Sequence, residues 1–208
     1  MNAAQLASLV AAYFIGAIPT SYLVARWARG IDLRAVGSRN LGATNLYRTL
    51  GWKYAIPAGA FDAAKGVVPV ALIAPRVSPS LNFALLCGVV AIAGHVWSVF
   101  VHFRGGKGVA TAAGVMLALF PKALIACFAL WIVIIRVSGY VSLGSIIAVA
   151  ALPFAVWFLA PARRQLVWVD AIVALAIIWL HRANVKRLLA GTENRFRRRE
   201  HPAAGPSA

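Results

Sequence analysis

The sequence predicts an all-α fold, a polytopic transmembrane helix bundle. Of its 208 residues, 62% are hydrophobic and only 12% are charged, too apolar a balance for a surface facing water. The apolar residues fall in runs long enough to cross a hydrocarbon core of ~30 Å, which takes ~20 helical residues. These runs lack the polar/apolar alternation of barrel strands, so helices are left to satisfy the backbone hydrogen bonds in lipid.

The first run, 3–25, carries no charge. It is longer than a signal-peptide core and no basic region precedes it, so it is read as a retained span. Further runs follow at 54–74, 82–100, 110–135, 140–160 and 166–180, each bounded by Gly, Pro or basic residues. Basic residues outnumber acidic ones 21 to 5 and cluster in three places: Arg26 to Lys53, Arg104 with Lys107, and Arg182 to Arg199. The positive-inside rule puts all three in the cytoplasm, with the N-terminus outside and an odd number of crossings. Six runs break that parity. Pro121-Lys122, inside the long fourth run, restores it, because proline interrupts the helical hydrogen-bond ladder and lysine is costly in lipid. Seven membrane helices are therefore expected, some short or broken, in one domain spanning 1–195. A basic tail, 196–208, is expected to be disordered.

Cys87 and Cys127 lie inside apolar runs and neither has a partner at metal-ligand spacing, so both are read as packing residues. Three polar stretches carry residue types that mere connectors do not need. Gly37 to Asn45, followed by Arg48, combines glycines, small hydroxyls and amides whose N–H groups can turn toward an anion, with a forked cation beside them. Helix capping uses the same residue types. Arg104-Gly105-Gly106-Lys107-Gly108 resembles a phosphate cradle at a helix N-terminus. It lacks the Walker spacing, so no nucleotide is indicated, and a tight turn with a snorkelling lysine is its plainer reading. In His181-Arg182-Ala183-Asn184, continued by Arg187, Gly191 and Glu193, the histidine and asparagine share one helical face. The tail arginines need no more than headgroup anchoring. On the predicted topology all three stretches meet at one membrane face, forming a cationic site for a phosphorylated molecule with a lipid-soluble partner.

Gly37 to Arg48, Gly94 to Thr111 and His181 to Glu193 resemble, in order, the three signatures of the bacterial acyl-phosphate-dependent glycerol-3-phosphate acyltransferase family. Phe61-Asp62-x-x-Lys65-Gly66 adds to the likeness. The resemblance implies transfer of a fatty acyl group from acyl-phosphate to the 1-hydroxyl of glycerol 3-phosphate, giving lysophosphatidic acid and inorganic phosphate, the first step of phospholipid biosynthesis. It also implies a protein of the bacterial inner membrane with its site near the cytoplasmic face. Its partners would be the two substrates and membrane lipids, with no metal, cofactor or nucleic acid, and a monomer is expected to suffice. Carried over residue by residue, the catalytic positions are Ser38, Arg48, Lys107, His181 and Asn184. The substrate-binding positions are Asn40, Gly42, Thr44, Asn45, His95, Gly105, Gly106, Gly108, Arg187 and Glu193. Arg48 and Lys107 would hold the two phosphates, and Ser38, His181 and Asn184 would orient glycerol 3-phosphate. Arg39 is given no role. His95 and His181 are both candidates for the base, but an activated acyl donor favours proton transfer to a substrate phosphate oxygen.

Two other classes compete. A phosphate-ester transporter suits broken helices and an intramembrane Asp62/Lys65 pair, and a lipid-binding structural protein suits the tail. Two further enzyme types fail on inspection. No histidine is followed five residues later by aspartate, and Asp32, Asp62 and Asp170 are too scattered for a metal-dependent phosphatidyltransferase.

Overall fold

A computed structural model describes residues 1–196, and the regular elements among them are all helical. Helix α1 (Ala3–Ala17) opens on a reciprocal cap. Asn2 Oδ1 accepts Gln5 N–H at 2.9 Å, and Gln5 Oε1 accepts Asn2 N–H at 3.0 Å, satisfying two otherwise orphaned donors. Pro19 has no backbone N–H and disfavours a helical residue before it. The chain therefore breaks at Ile18 and bends by 41° into α2 (Thr20–Arg29).

After an irregular loop, α3 (Ala43–Leu50) runs into α4 (Trp52–Val67) through Gly51. The backbone then widens into a π-helical stretch, Val68–Ile73, before α5 (Ala74–Val77). Pro69, unable to donate, accounts for the local change in hydrogen-bond spacing. The remaining helices are α6 (Leu81–Val96), α7 (Val109–Leu119), α8 (Pro121–Ser138), α9 (Val141–Leu159), α10 (Val167–Leu180) and α11 (Arg182–Leu189).

Among the described residues, four helical stretches are long and apolar enough to cross a membrane: Trp52–Val77, Leu81–Val101, Pro121–Ser138 and Val141–Leu159. Counting the α1/α2 pair and the stretch from Pro161 through α11, bent by 55°, as one span each raises the number to six. The expected seventh is α7. The predicted break is present between Leu119 and Pro121, but the two halves are unequal. Helix α8 has 18 residues and spans alone, whereas α7 has 11, a rise of about 16 Å, against the ~30 Å of a hydrocarbon core.

Close backbone approaches hold the bundle together. A Cβ on Gly66 of α4 would strike the Thr111 carbonyl of α7, and one on Gly114 of α7 would strike the Ala63 carbonyl of α4. Gly16 and Gly94 make the same reciprocal fit between α1 and α6. Small residues at such crossings replace the hydrophobic drive that lipid removes. Between α8 and α9, Trp131 Nε1 donates to Ser145 Oγ at 3.2 Å. Cys87 and Cys127 are free and buried in the core, while Phe128, Phe154, Trp168 and Leu175 point outward, as a lipid-facing surface requires. Phe196, the first residue of the expected tail, packs onto the bundle. Its ring stacks on Tyr47 with centroids 4.6 Å apart, and its N–H bonds the Gly139 carbonyl at 2.7 Å. The rest of that tail, 197–208, lies outside the described residues.

Candidate active site

One end of the bundle gathers the three polar stretches around a cleft of about 260 Å³. Ser38, Arg39 and Asn40 come from the loop before α3, Lys107 from the turn before α7, and Leu180, Arg182, Ala183, Asn184 and Arg187 from the α10/α11 bend. A second cavity, about 300 Å³, lies at the far ends of α7 and α9 between Lys122 and Arg163. It contains none of the motif residues, so the chemistry belongs to the first.

Asn45 shapes the first loop from within. Its Oδ1 accepts Ser38 N–H at 2.9 Å, and its Nδ2 donates to the carbonyls of Leu33, Val36 and Asn40 at 3.3, 3.1 and 3.0 Å. That amide is fully used in holding Ser38 and Asn40 at the cleft. Gly42 precedes α3 as its N-terminal cap and Thr44 lies in the first turn. Arg39 has φ +58°, a left-handed backbone that costs a non-glycine residue about 1 kcal/mol and here sets its side chain at the rim.

The second turn folds back onto the end of α6. Gly105 N–H bonds the Val96 carbonyl at 2.9 Å and Gly106 N–H the His95 carbonyl at 3.1 Å. Side chains at Gly105 and Gly106 would collide with the His95 carbonyl and the His95 ring. Gly108, at φ +80°, caps α7. The turn thus delivers Lys107, whose ammonium donates to Asn184 Oδ1.

The third stretch is organised by Glu193. Its Oε1 accepts from Ser142 Oγ at 2.9 Å and Asn184 Nδ2 at 2.7 Å, and its Oε2 accepts from Arg187 Nε at 2.6 Å. Asn184 is thereby oriented with its oxygen toward Lys107. His181 Nδ1 lies 2.8 Å from the Ile177 carbonyl. A carbonyl can only accept, so Nδ1 carries a hydrogen, and in the neutral ring Nε2 keeps its lone pair. Arg48 stands behind the cleft, with Nη2 donating to the Asn194 carbonyl at 2.9 Å and Nε buried without a partner among the described residues.

Electrostatically the site is short of negative charge. Burial lowers Lys107 to about 8; Glu193 opposes that shift, and Arg187 and Arg48 add to it. Burial also lowers Arg48, again with Glu193 opposing and Arg187 adding. Burial raises Glu193, but the hydrogen bonds from Asn184, Arg187 and Ser142 outweigh it and leave the carboxyl below its ordinary value. Burial and neighbouring cations both disfavour the charged lysine, so an anion entering the cleft would offset them.

Of the residues expected from sequence, Ser38, Asn40, Lys107, Asn184 and Arg187 line the cleft, and Arg48, His181 and Glu193 stand behind it. His95 and Asn45 face inward, away from the cleft. Sequence reasoning gave no role to Arg39, Arg182 or Ser142. The two arginines lay inside the motifs already singled out, whereas Ser142 sits in an apolar run with no local signal.

A helical bundle with membrane-length apolar spans and a cationic cleft at one end defines a polytopic membrane protein built to receive anionic substrates. The chain belongs to the glycerol-3-phosphate acyltransferase family, whose profile it matches over residues 6–191, and it is therefore an enzyme. Among its relatives, the glycerol-3-phosphate acyltransferase of Geobacter sulfurreducens is 45% identical over 195 residues, covering 93% of this chain and 98% of the relative. That of Geobacter metallireducens is 47% identical over 193 residues, with the same coverage. The crystal structure of PlsY (YgiH), an integral membrane glycerol 3-phosphate acyltransferase in its glycerol 3-phosphate form, superposes with a TM-score of 0.86 at 36% identity, covering 93% of this chain and 96% of that one. Its lysophosphatidic acid form gives 0.83 at 33% identity, covering 92% and 94%.

Proposed function

We propose that this enzyme transfers a fatty acyl group from acyl-phosphate to the 1-hydroxyl of glycerol 3-phosphate, releasing lysophosphatidic acid and inorganic phosphate. The observation that carries the reading is the crowding of Arg39, Arg48, Lys107, Arg182 and Arg187 around a cleft whose neighbouring carboxylate, Glu193, is already committed to Arg187, Asn184 and Ser142. Such a site has unspent positive charge for two phosphates, and both proposed substrates carry one.

Lys107 and Arg48 hold the two phosphates and offset their repulsion, bringing the hydroxyl and the acyl carbon within reaction distance. Ser38, Asn184 and the free Nε2 of His181 orient glycerol 3-phosphate. Its 1-hydroxyl oxygen bonds the acyl carbon, and the bond from that carbon to the phosphate oxygen breaks. The hydroxyl proton passes to a phosphate oxygen of the substrates, and phosphate leaves. The donor is already activated, so no strong protein base is needed, and no metal or cofactor enters the scheme. The cleft faces the cytoplasm of the bacterial inner membrane, with the N-terminus outside, seven crossings when α7 is counted, and a monomer as the working unit. The loop arginines and lysines support that orientation.

Purified protein in detergent, given glycerol 3-phosphate with acyl-phosphate, acyl-CoA or acyl-carrier protein in turn, tests the donor. Product from acyl-phosphate alone is expected. Turnover with either thioester and none with acyl-phosphate would overturn the reading.

A further inference from the structure

A buried ionic cluster lies inside the bundle behind the glycine turn, outside the chemistry described above. Asp62 and Lys65 stand one helical turn apart on α4, each 2% exposed. Lys65 Nζ is 2.6 Å from Asp62 Oδ1, donates to the Ile18 carbonyl at 2.7 Å, and lies 3.2 Å from His95 Nδ1. The Ile18 carbonyl is available because α1 ends at Ala17, just before Pro19.

An ammonium has three hydrogens to donate and no lone pair with which to accept. At 3.2 Å from Lys65 Nζ, His95 Nδ1 is therefore the acceptor, and the neutral ring carries its hydrogen on Nε2. That nitrogen faces Gly106, and the ring occupies the space a side chain there would need. The His95 carbonyl also accepts Gly106 N–H at 3.1 Å. One histidine thus grips the turn by both ring and backbone, and Lys107 is the next residue. Charges inside an apolar span are costly and are kept where they serve function.

We infer that Asp62 and Lys65 are positioning residues for acyl transfer: they fix His95 as an Nε2–H tautomer wedged against Gly106 and so hold the Lys107 ammonium on a substrate phosphate. The inference rests on the reading of Lys107 as a phosphate ligand.

The test compares full-length unsubstituted enzyme in detergent with Lys107→Ala and with the double variant Asp62→Asn/Lys65→Met, which removes both charges together and strands neither. The double variant should raise KM for a phosphate substrate about tenfold while kcat stays within about threefold. A purely structural role would lower the yield of active enzyme and leave KM alone. Wild-type KM values in the double variant, beside a Lys107→Ala enzyme that has lost kcat/KM, would overturn the positioning role and leave the phosphate reading standing. An undiminished kcat/KM in Lys107→Ala would overturn that reading, and the inference with it. A second measurement needs no change to the pair: 15N-histidine NMR of the unsubstituted protein, with His95 assigned by its loss in His95→Gln. A protonated Nε2 beside a bare Nδ1 is expected; an Nδ1–H tautomer or an imidazolium at His95 would contradict the cluster's wiring.

Discussion

Lys107 and Asn184, 77 residues apart in the chain, are joined by a hydrogen bond from the lysine ammonium to the amide oxygen. Asn184 can offer that oxygen because Glu193 holds its Nδ2 at 2.7 Å. The contact ties the glycine turn to the α10/α11 bend and puts the ammonium at the cleft beside a neutral amide. Charge-assisted bonds to an anion are the stronger kind, so on the proposed function a bound phosphate should draw Lys107 off Asn184.

Lys107→Ala should lower kcat/KM by about 100-fold or more, in the range found when one preorganised donor to developing charge is removed. Initial rates on the purified variant, with thermal melting as a control for folding, check this. A loss under about tenfold would mean that another cation carries the phosphate.

The pH profile should bear the mark of the same residue. Lys107 is lowered to about 8; it is cationic below that value and neutral above it. The logarithm of kcat/KM should therefore be level toward neutral pH and fall with unit slope above about 8. A bound anion favours the charged form, so the corresponding limb of kcat should lie higher in pH. Lys107→Arg, which stays charged throughout, should abolish the limb even if its turnover is lower.

Glu193→Gln should destabilise the fold by about 1–3 kcal/mol, because Arg187 loses its charged partner and the hydrogen bonds from Asn184 and Ser142 weaken. The carboxyl lies below its ordinary value of 4.5 when folded. Its contribution is thus fully present above about 4.5 and is lost as pH falls through the folded value. Melting temperatures of the two proteins should converge in acid, and a gap that widened instead would contradict the assignment.

Gly114→Ala tests the packing independently of the site. The added methyl would strike the Ala63 carbonyl across the α4/α7 crossing, and overpacking of this kind costs about 1–3 kcal/mol or more. A clear drop in melting temperature is expected, whereas unchanged melting would show that the two helices separate easily.

Much of this was legible in the sequence because two signals are intrinsically local. Apolar run length marks spans, and the break at Pro121 followed from a single missing N–H. The motif residues announced a cationic site because arginine, lysine and glycine in loops keep their chemistry whatever the fold. Other features depend on partners distant in the chain. An amide in a glycine-rich loop can serve the loop's own hydrogen bonds or a ligand, and the sequence could not say which carbonyls Asn45 would take; they are those of Leu33, Val36 and Asn40. His95 met Lys65 only once α4 and α6 were packed, and the proline alone did not show how unequally the long fourth run divides, 11 residues in α7 against 18 in α8.

Acyl transfer from acyl-phosphate to glycerol 3-phosphate has a fixed stoichiometry. 31P NMR of the purified enzyme in detergent, supplied with acyl-phosphate and glycerol 3-phosphate, should show both substrate resonances decline together while lysophosphatidic acid and inorganic phosphate grow in equal amounts. Consumption of acyl-phosphate without a matching acylated product, or lysophosphatidic acid formed with no phosphate released, would contradict it.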